Sequence, residues 1–156
     1  MKNQTGFTII ELFIVILVAG VLVAIAVPSY TKMIRNNCIT TSTNLLVSSL
    51  QYARSEAIKL RQTVSVLDNP DWNTGWKVSQ GANDLRFVEL TCGQGGAVAL
   101  TVTETGGATQ IDYLPTGFAL NSATFNICYG NSGDPGRQIN LLVTGRPQTN
   151  SNFTCP

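Results

Sequence analysis

Two groups of residues in this chain have types and spacings that could do chemistry. The first is Gly6-Phe7-Thr8-Ile9-Ile10-Glu11, where Glu11 is the only charged side chain within residues 7–27. A carboxylate inside an apolar helix is costly unless it is paired or protonated, so such an acid marks a functional position with a partner. The second group is Cys38, Cys92, Cys128 and Cys155. None lies in a Cys-x-x-Cys pair, which suits neither a zinc ribbon nor a thioredoxin-like redox site. An even number at wide spacing points to two disulfides and hence to an oxidising compartment such as the periplasm or cell surface. Three connectivities are open. We expect Cys128 with Cys155, pinning the C-terminal tail to a strand, and Cys38 with Cys92, pinning a long helix to a sheet.

Other chemistries are excluded by composition. The chain has no histidine, which removes the usual general base, the commonest metal ligand and every His-based hydrolase triad. We therefore expect no enzyme and no cofactor. Charged residues are 12% of the chain and the formal net charge is +1, so no global field favours nucleic acid or an acidic partner.

The elements that must position these residues begin with a helix. Residues 7–27 as an α-helix would rise ~31 Å, about the thickness of a bilayer's hydrocarbon core. The preceding segment, residues 1–6, carries one Lys2 and is short for a secretory signal. Its small residue, Gly6, lies before the apolar run, so cleavage there would leave the helix attached. Pro28 follows, and Pro is tolerated as a kink in membrane helices. Beyond it, Leu46, Leu50, Ala53, Ala57 and Leu60 recur at helical spacing and share one face. Arg54, Glu56, Lys59 and Arg61 fall mostly elsewhere, and Arg54 and Glu56 read as solvated charges. One helix from Phe7 to about Arg61 is expected, its first half in lipid and its second packed on a sheet. Ala19, Gly20, Ala24 and Ala26 would let neighbouring membrane helices approach closely.

After Arg61 the pattern alternates. Strands are expected at residues 63–67, 75–79, 85–90, 97–102, 111–114, 123–129 and 138–143, separated by turn-rich clusters such as Asp68-Asn69-Pro70-Asp71 and Gly93-Gln94-Gly95-Gly96. Residues 131–136 form a turn that makes the last two strands a hairpin. Trp72 and Trp76 read as core. The Gly93 to Gly96 run lacks the Lys-Ser/Thr ending of a phosphate loop. Residues 145–156 read as a polar surface loop tethered by a disulfide. The fold class is α+β: one long helix on a β-rich head of antiparallel strands.

The order of parts at the N-terminus resembles the class III signal of type IV pilins and type II secretion pseudopilins. That resemblance implies a leader at residues 1–6, cleavage between Gly6 and Phe7 by a prepilin peptidase on the cytoplasmic side, and N-methylation of Phe7. It also implies a helix at residues 7–28 that serves first as membrane anchor and then as filament core, with residues 29–156 as a periplasmic head (29–61 helix, 62–156 β-rich). Lys32 and Arg35 would favour the cytoplasm by the positive-inside rule, but the leader must be cytoplasmic and outweighs them. Glu11 would then pair with the α-amino group of Phe7, its own or a neighbour's.

Within that class, residues 46–146 resemble the FimT/FimU and pseudopilin H group of minor subunits. The carriers are Arg54-Ser55-Glu56-Ala57, Gly75-Trp76, Leu114-Pro115-Thr116-Gly117, Phe125-Asn126-Ile127-Cys128 and Val143-Thr144-Gly145-Arg146. FimT-type competence pilins carry a DNA-binding Gly-Arg-x-Arg tail, where this chain has Gly145-Arg146-Pro147-Gln148, with one of the two arginines. Arg146, Arg137 and Lys77 are the remaining cations for a DNA-uptake reading. The resemblance favours the FimU-like branch: a minor pilin of the inner membrane and then of the pilus surface, acting in assembly initiation and the tip complex through contacts with other minor and major pilins. Pseudopilin H of type II secretion is the other alternative.

A direct test of the processing expectation is Gly6→Glu, which should leave the leader attached and the protein in the inner membrane. Mass spectrometry of the membrane fraction reads the N-terminus. A mature chain beginning at methylated Phe7 in this variant would contradict the assigned junction.

Overall fold

The computed structural model describes residues 8–92, 100–130 and 132–156. Gly6, Phe7, the Gly93 to Gly96 run, the start of the strand expected at 97–102 and Asn131 lie outside the described residues. The chain divides into two compact units, Met1–Asn36 and Asn37–Pro156.

In the first unit, α1 (Ile9–Leu60) begins with exposed apolar side chains, among them Ile9, Phe13, Leu17, Val21 and Ile25. It is long and apolar enough to cross a membrane. Pro28 sits inside the helix, and its carbonyl accepts the Thr31 hydroxyl at 3.0 Å.

In the second unit the same helix buries Cys38, Ile39, Ser42, Thr43, Leu46, Ser49, Leu50, Ala53 and Ala57. This is the expected face with one correction. Leu60 is exposed, because the helix ends there and Arg61 turns the backbone left-handed at φ 53°. The small side chains of Ala53 and Ala57 are fully buried, which lets the strands approach the helix backbone.

Among the described residues eight strands follow. The first sheet has the order β3 (Asn83–Glu89), β2 (Gly75–Gln80), β1 (Val64–Asp68), β5 (Gln110–Tyr113). The second has β4 (Leu100–Glu104), β6 (Ala123–Tyr129), β7 (Pro135–Leu141), β8 (Pro147–Thr154). All pairings are antiparallel. Period-2 alternation puts Val64 and Val66 of β1, Leu100 and Val102 of β4, and Phe125 and Ile127 of β6 in one core with the helix face. The expected hairpin is β6 and β7, with Pro135 and Gly136 already in the strand. The tail read as a loop is instead β8, paired to β7 from Leu141↔Pro147 to Pro135↔Thr154. Its side chains are mostly exposed, so no alternation announces it.

Disulfides join Cys38 to Cys92 and Cys128 to Cys155, with Cα separations of 5.7 and 5.9 Å, ordinary values for bridged pairs. The first joins the helix to the segment after β3; the second joins the end of β8 to β6. Bridges closing loops of this size stabilise by roughly 3–4 kcal/mol in the chain-entropy account.

The loop between β1 and β2 links the two sheets. Both tryptophans are buried as expected. Trp72 Nε1 donates to the Ala108 carbonyl at 2.9 Å, and its ring meets Phe125 edge-on at 4.9 Å. Asn73 Oδ1 accepts the Val102 N–H of β4 at 2.7 Å. Asp71 shapes this loop by accepting the N–H groups of Asn73 and Thr74 and the Thr74 hydroxyl at 2.8–2.9 Å. The Thr74 hydroxyl, then the backbone N–H groups, hold the Asp71 carboxyl below its ordinary range. Asp68 is pushed the other way, by burial first and then by the Asp71 charge.

The sign of the pH effect follows. A depressed folded value means that Asp71 contributes stability above the unfolded carboxylate range, lost as pH falls through its lower folded value. Asp68 opposes this, since protonating it favours the native state. Asp71→Asn keeps an acceptor oxygen and removes the titration. Its urea midpoint should fall less than the wild type's below about pH 4. Parallel midpoint curves for the two proteins would contradict the assigned role.

Candidate functional site: the helix start and the Arg54 groove

At the start of α1, Glu11 has a partner within its own chain. The Glu11 N–H donates to Thr8 Oγ1 at 3.3 Å, while the Thr8 N–H and hydroxyl donate to Glu11 Oε2 at 3.2 and 3.1 Å. This reciprocal arrangement is a capping box, with Thr8 as N-cap and Glu11 as the third helical residue. It satisfies donors that the first helical turn leaves open and places a carboxylate at the positive end of the helix. The Thr-x-x-Glu spacing was readable in the sequence as a cap and was missed there. The α-amino partner proposed for Glu11 belongs to Phe7, outside the described residues.

A second site lies wholly within the second unit. Arg54, read from the sequence as a solvated charge, is half-buried, and its Nε donates to the Gly117 carbonyl at 2.8 Å. Gly117 ends the turn after β5, where its N–H donates to the Leu114 carbonyl. Gly145 closes the turn between β7 and β8, with its N–H on the Leu142 carbonyl. Both glycines are left-handed, at φ 80° and 75°. A Cβ on Gly117 would sit 2.7 Å from Ile58 Cδ1 and 3.4 Å from Arg54 Nε. One on Gly145 would run into the Gly117 carbonyl oxygen and lie 3.2 Å from both Arg54 Nε and Tyr113 Cε1. Only side-chain-free backbone lets the two turns close around the guanidinium. This gives a shared physical reason for Arg54-Ser55-Glu56-Ala57, Leu114-Pro115-Thr116-Gly117 and Val143-Thr144-Gly145-Arg146. Glu56 faces another partner, Lys59, at 3.2 Å.

Behind the clamp, Tyr113 is fully buried and its hydroxyl has no hydrogen-bond partner among the described residues. Burial pushes its ionisation upward, opposed in part by the Arg54 charge. In front of it opens a groove of about 410 Å³ lined by Gln51, Arg54, Ser55, Ile58, Gly145, Arg146 and Pro147.

Of the three cations singled out in the sequence, the groove holds only Arg146. Lys77 lies on β2 in the other sheet, 3.2 Å from Asp84. Arg137 is half-buried on β7 opposite Ile127. The cation that stands beside Arg146 is Arg54, which only the fold could bring there.

Comparison with known proteins agrees with this architecture. The profile of the type II transport protein GspH matches residues 42–145, and that of the prokaryotic N-terminal methylation motif matches residues 1–27. A fimbrial protein of Pseudomonas aeruginosa is 26% identical over 162 aligned positions, covering 100% of this chain and 99% of the relative. A crystal structure of the type IV minor pilin FimU from the same organism superposes with a TM-score of 0.66 at 25% identity, covering 76% of this chain and 93% of FimU. A second crystal form of FimU gives a TM-score of 0.63 at 26% identity, covering 74% and 95%. The long helix packed on antiparallel sheets is the type IV pilin fold of FimU, and the chain belongs to the GspH family on its FimU-like, minor-pilin branch.

Proposed function

We propose that this protein is a non-catalytic minor pilin that helps to start a type IV pilus and resides in the complex at its tip. The observation that carries this reading is the likeness to the minor pilin FimU over most of the chain, at the level of both fold and sequence. The methylation motif at residues 1–27 supports processing between Gly6 and Phe7 by a prepilin peptidase. The exposed apolar half of α1 supports a single-pass anchor in the inner membrane with a periplasmic head. Glu11 would exchange its Thr8 cap for the N-terminus of a neighbouring subunit as the helices bundle. Other minor pilins and the major pilin are the partners.

The DNA-uptake reading rests on Arg146 standing beside Arg54 in the groove. The electrostatic part of DNA affinity grows with each phosphate neutralised, and two clustered cations compare poorly with the roughly six to ten contacts of strong binders. The deciding experiment deletes the gene and, separately, titrates the full-length protein with duplex DNA at about 150 mM salt. The expected result is fewer filaments per cell, and DNA affinity no better than the non-specific range of about 10⁻⁴ M. An unchanged filament count with micromolar DNA binding that is lost in Arg146→Ala would reverse the preference.

A further inference from the structure

The Arg54 groove has a chemistry that its clamp does not use. Arg54 Nε is committed to the Gly117 carbonyl, while Arg146 is exposed at the lip. No lining residue is acidic. Gln51 and Ser55 add polar atoms along the helix wall, and Ile58 and Pro147 make an apolar wall. The same two turns expose Phe118, Leu120, Leu142 and Val143, held together by the Ala119 N–H on the Val143 carbonyl at 2.9 Å. Within the groove itself the cations Arg54 and Arg146 therefore share a concave wall with the apolar Ile58 and Pro147, on an otherwise nearly neutral head. Two guanidinium groups with no carboxylate among the described lining residues attract an anion, and the adjoining apolar side chains select one carried on a hydrophobic segment rather than a fully hydrated one.

We propose that this groove seats an acidic side chain, flanked by an apolar one, on a neighbouring pilin's head. The anion pairs with Arg146 and with the Arg54 nitrogens not held by Gly117. The flanking apolar side chain lies against Ile58 and Pro147. The clamp thus has two consequences: it holds the helix to the turns, and it presents a pre-positioned cation, which lowers the ordering cost of binding. This proposal rests on the minor-pilin reading above and adds the chemistry of its contact.

The test uses the full-length protein in cells and measures how much of it is recovered with sheared filaments. Arg146→Glu reverses the lip charge on an exposed turn residue. Ser55→Glu introduces a carboxylate from the exposed helix wall, where Ser55 Oγ donates to the Tyr52 carbonyl of its own helix at 2.8 Å. Each should lower recovery about tenfold, since like charges juxtaposed at an interface are strongly disfavoured, while Arg146→Lys should retain most of it. A second-site change that restores recovery to Arg146→Glu should replace an acid by a base in another pilin's head. Recovery of both charge variants at the wild-type level overturns the groove assignment and leaves the minor-pilin reading intact. Loss of DNA binding in Arg146→Glu with full recovery in filaments overturns it in favour of a phosphate ligand. Failure to recover the wild-type chain with any pilin refutes the minor-pilin reading itself.

Discussion

The head is organised around one guanidinium. Arg54 projects from a helix whose other contacts with the strands are mainly apolar burial, which is non-directional and tolerates sliding. A charge-assisted hydrogen bond to the Gly117 carbonyl at 2.8 Å supplies the direction that burial lacks. Together with the Cys38–Cys92 bridge and the Arg86–Tyr52 contact, it restricts the rotation of the helix and its position along the sheets. Gly117 and Gly145 must then be bare, because their left-handed turns close on the same atoms. The fully buried Leu46, Leu50, Ala53 and Ala57 supply the larger share of the free energy, and the Arg54 bond is satisfied in the same register that buries them.

Each sheet is tied to the other at several places remote from the helix. Asp71 shapes the loop that sends Asn73 and Trp72 across to β4, Ala108 and Phe125. Glu104 accepts the N–H groups of Ala108 and Thr124, at 2.6 and 3.4 Å, and so secures the far end of β4. On the other side, Arg86 stacks over Tyr52 at 5.8 Å, joining β3 to the helix. The edge strand β8 has little burial of its own and is held by pairing with β7 and by the Cys128–Cys155 bridge.

Much of this was legible because burial leaves a periodic trace. The helix face from Leu46 to Ala57 repeats at three and four, and strands such as β1 and β6 alternate, since each must hide one side. Where burial fails, the trace fails. β8 shows solvent on both faces, so Pro147-Gln148-Thr149-Asn150-Ser151-Asn152 reads as a loop in sequence, although its backbone pairs with β7. Leu60 continued the stripe in sequence but lies at the helix end, beyond the sheets. The site was harder still. Nothing near Arg54 in the chain foretells a carbonyl 63 positions later, and the glycine turns that accept it are ordinary turn signals taken singly. Charges are assigned to solvent by default in a sequence; only the fold shows which one has been claimed.

The central claim is that Arg54, Gly117 and Gly145 act as one unit, and a double-mutant cycle in denaturant unfolding measures that directly. Arg54→Ala should destabilise by roughly 1.5–3 kcal/mol, the range for a hydrogen bond to a charged group. Gly145→Ala should cost at least about 1 kcal/mol from its left-handed backbone, before its collision with the Gly117 carbonyl is added. Because the second change also displaces the acceptor of the first, the double variant should fall short of the sum by about 0.5–3 kcal/mol. Costs that add to within about 0.3 kcal/mol would show the arginine and the turns to be independent, and would contradict the account.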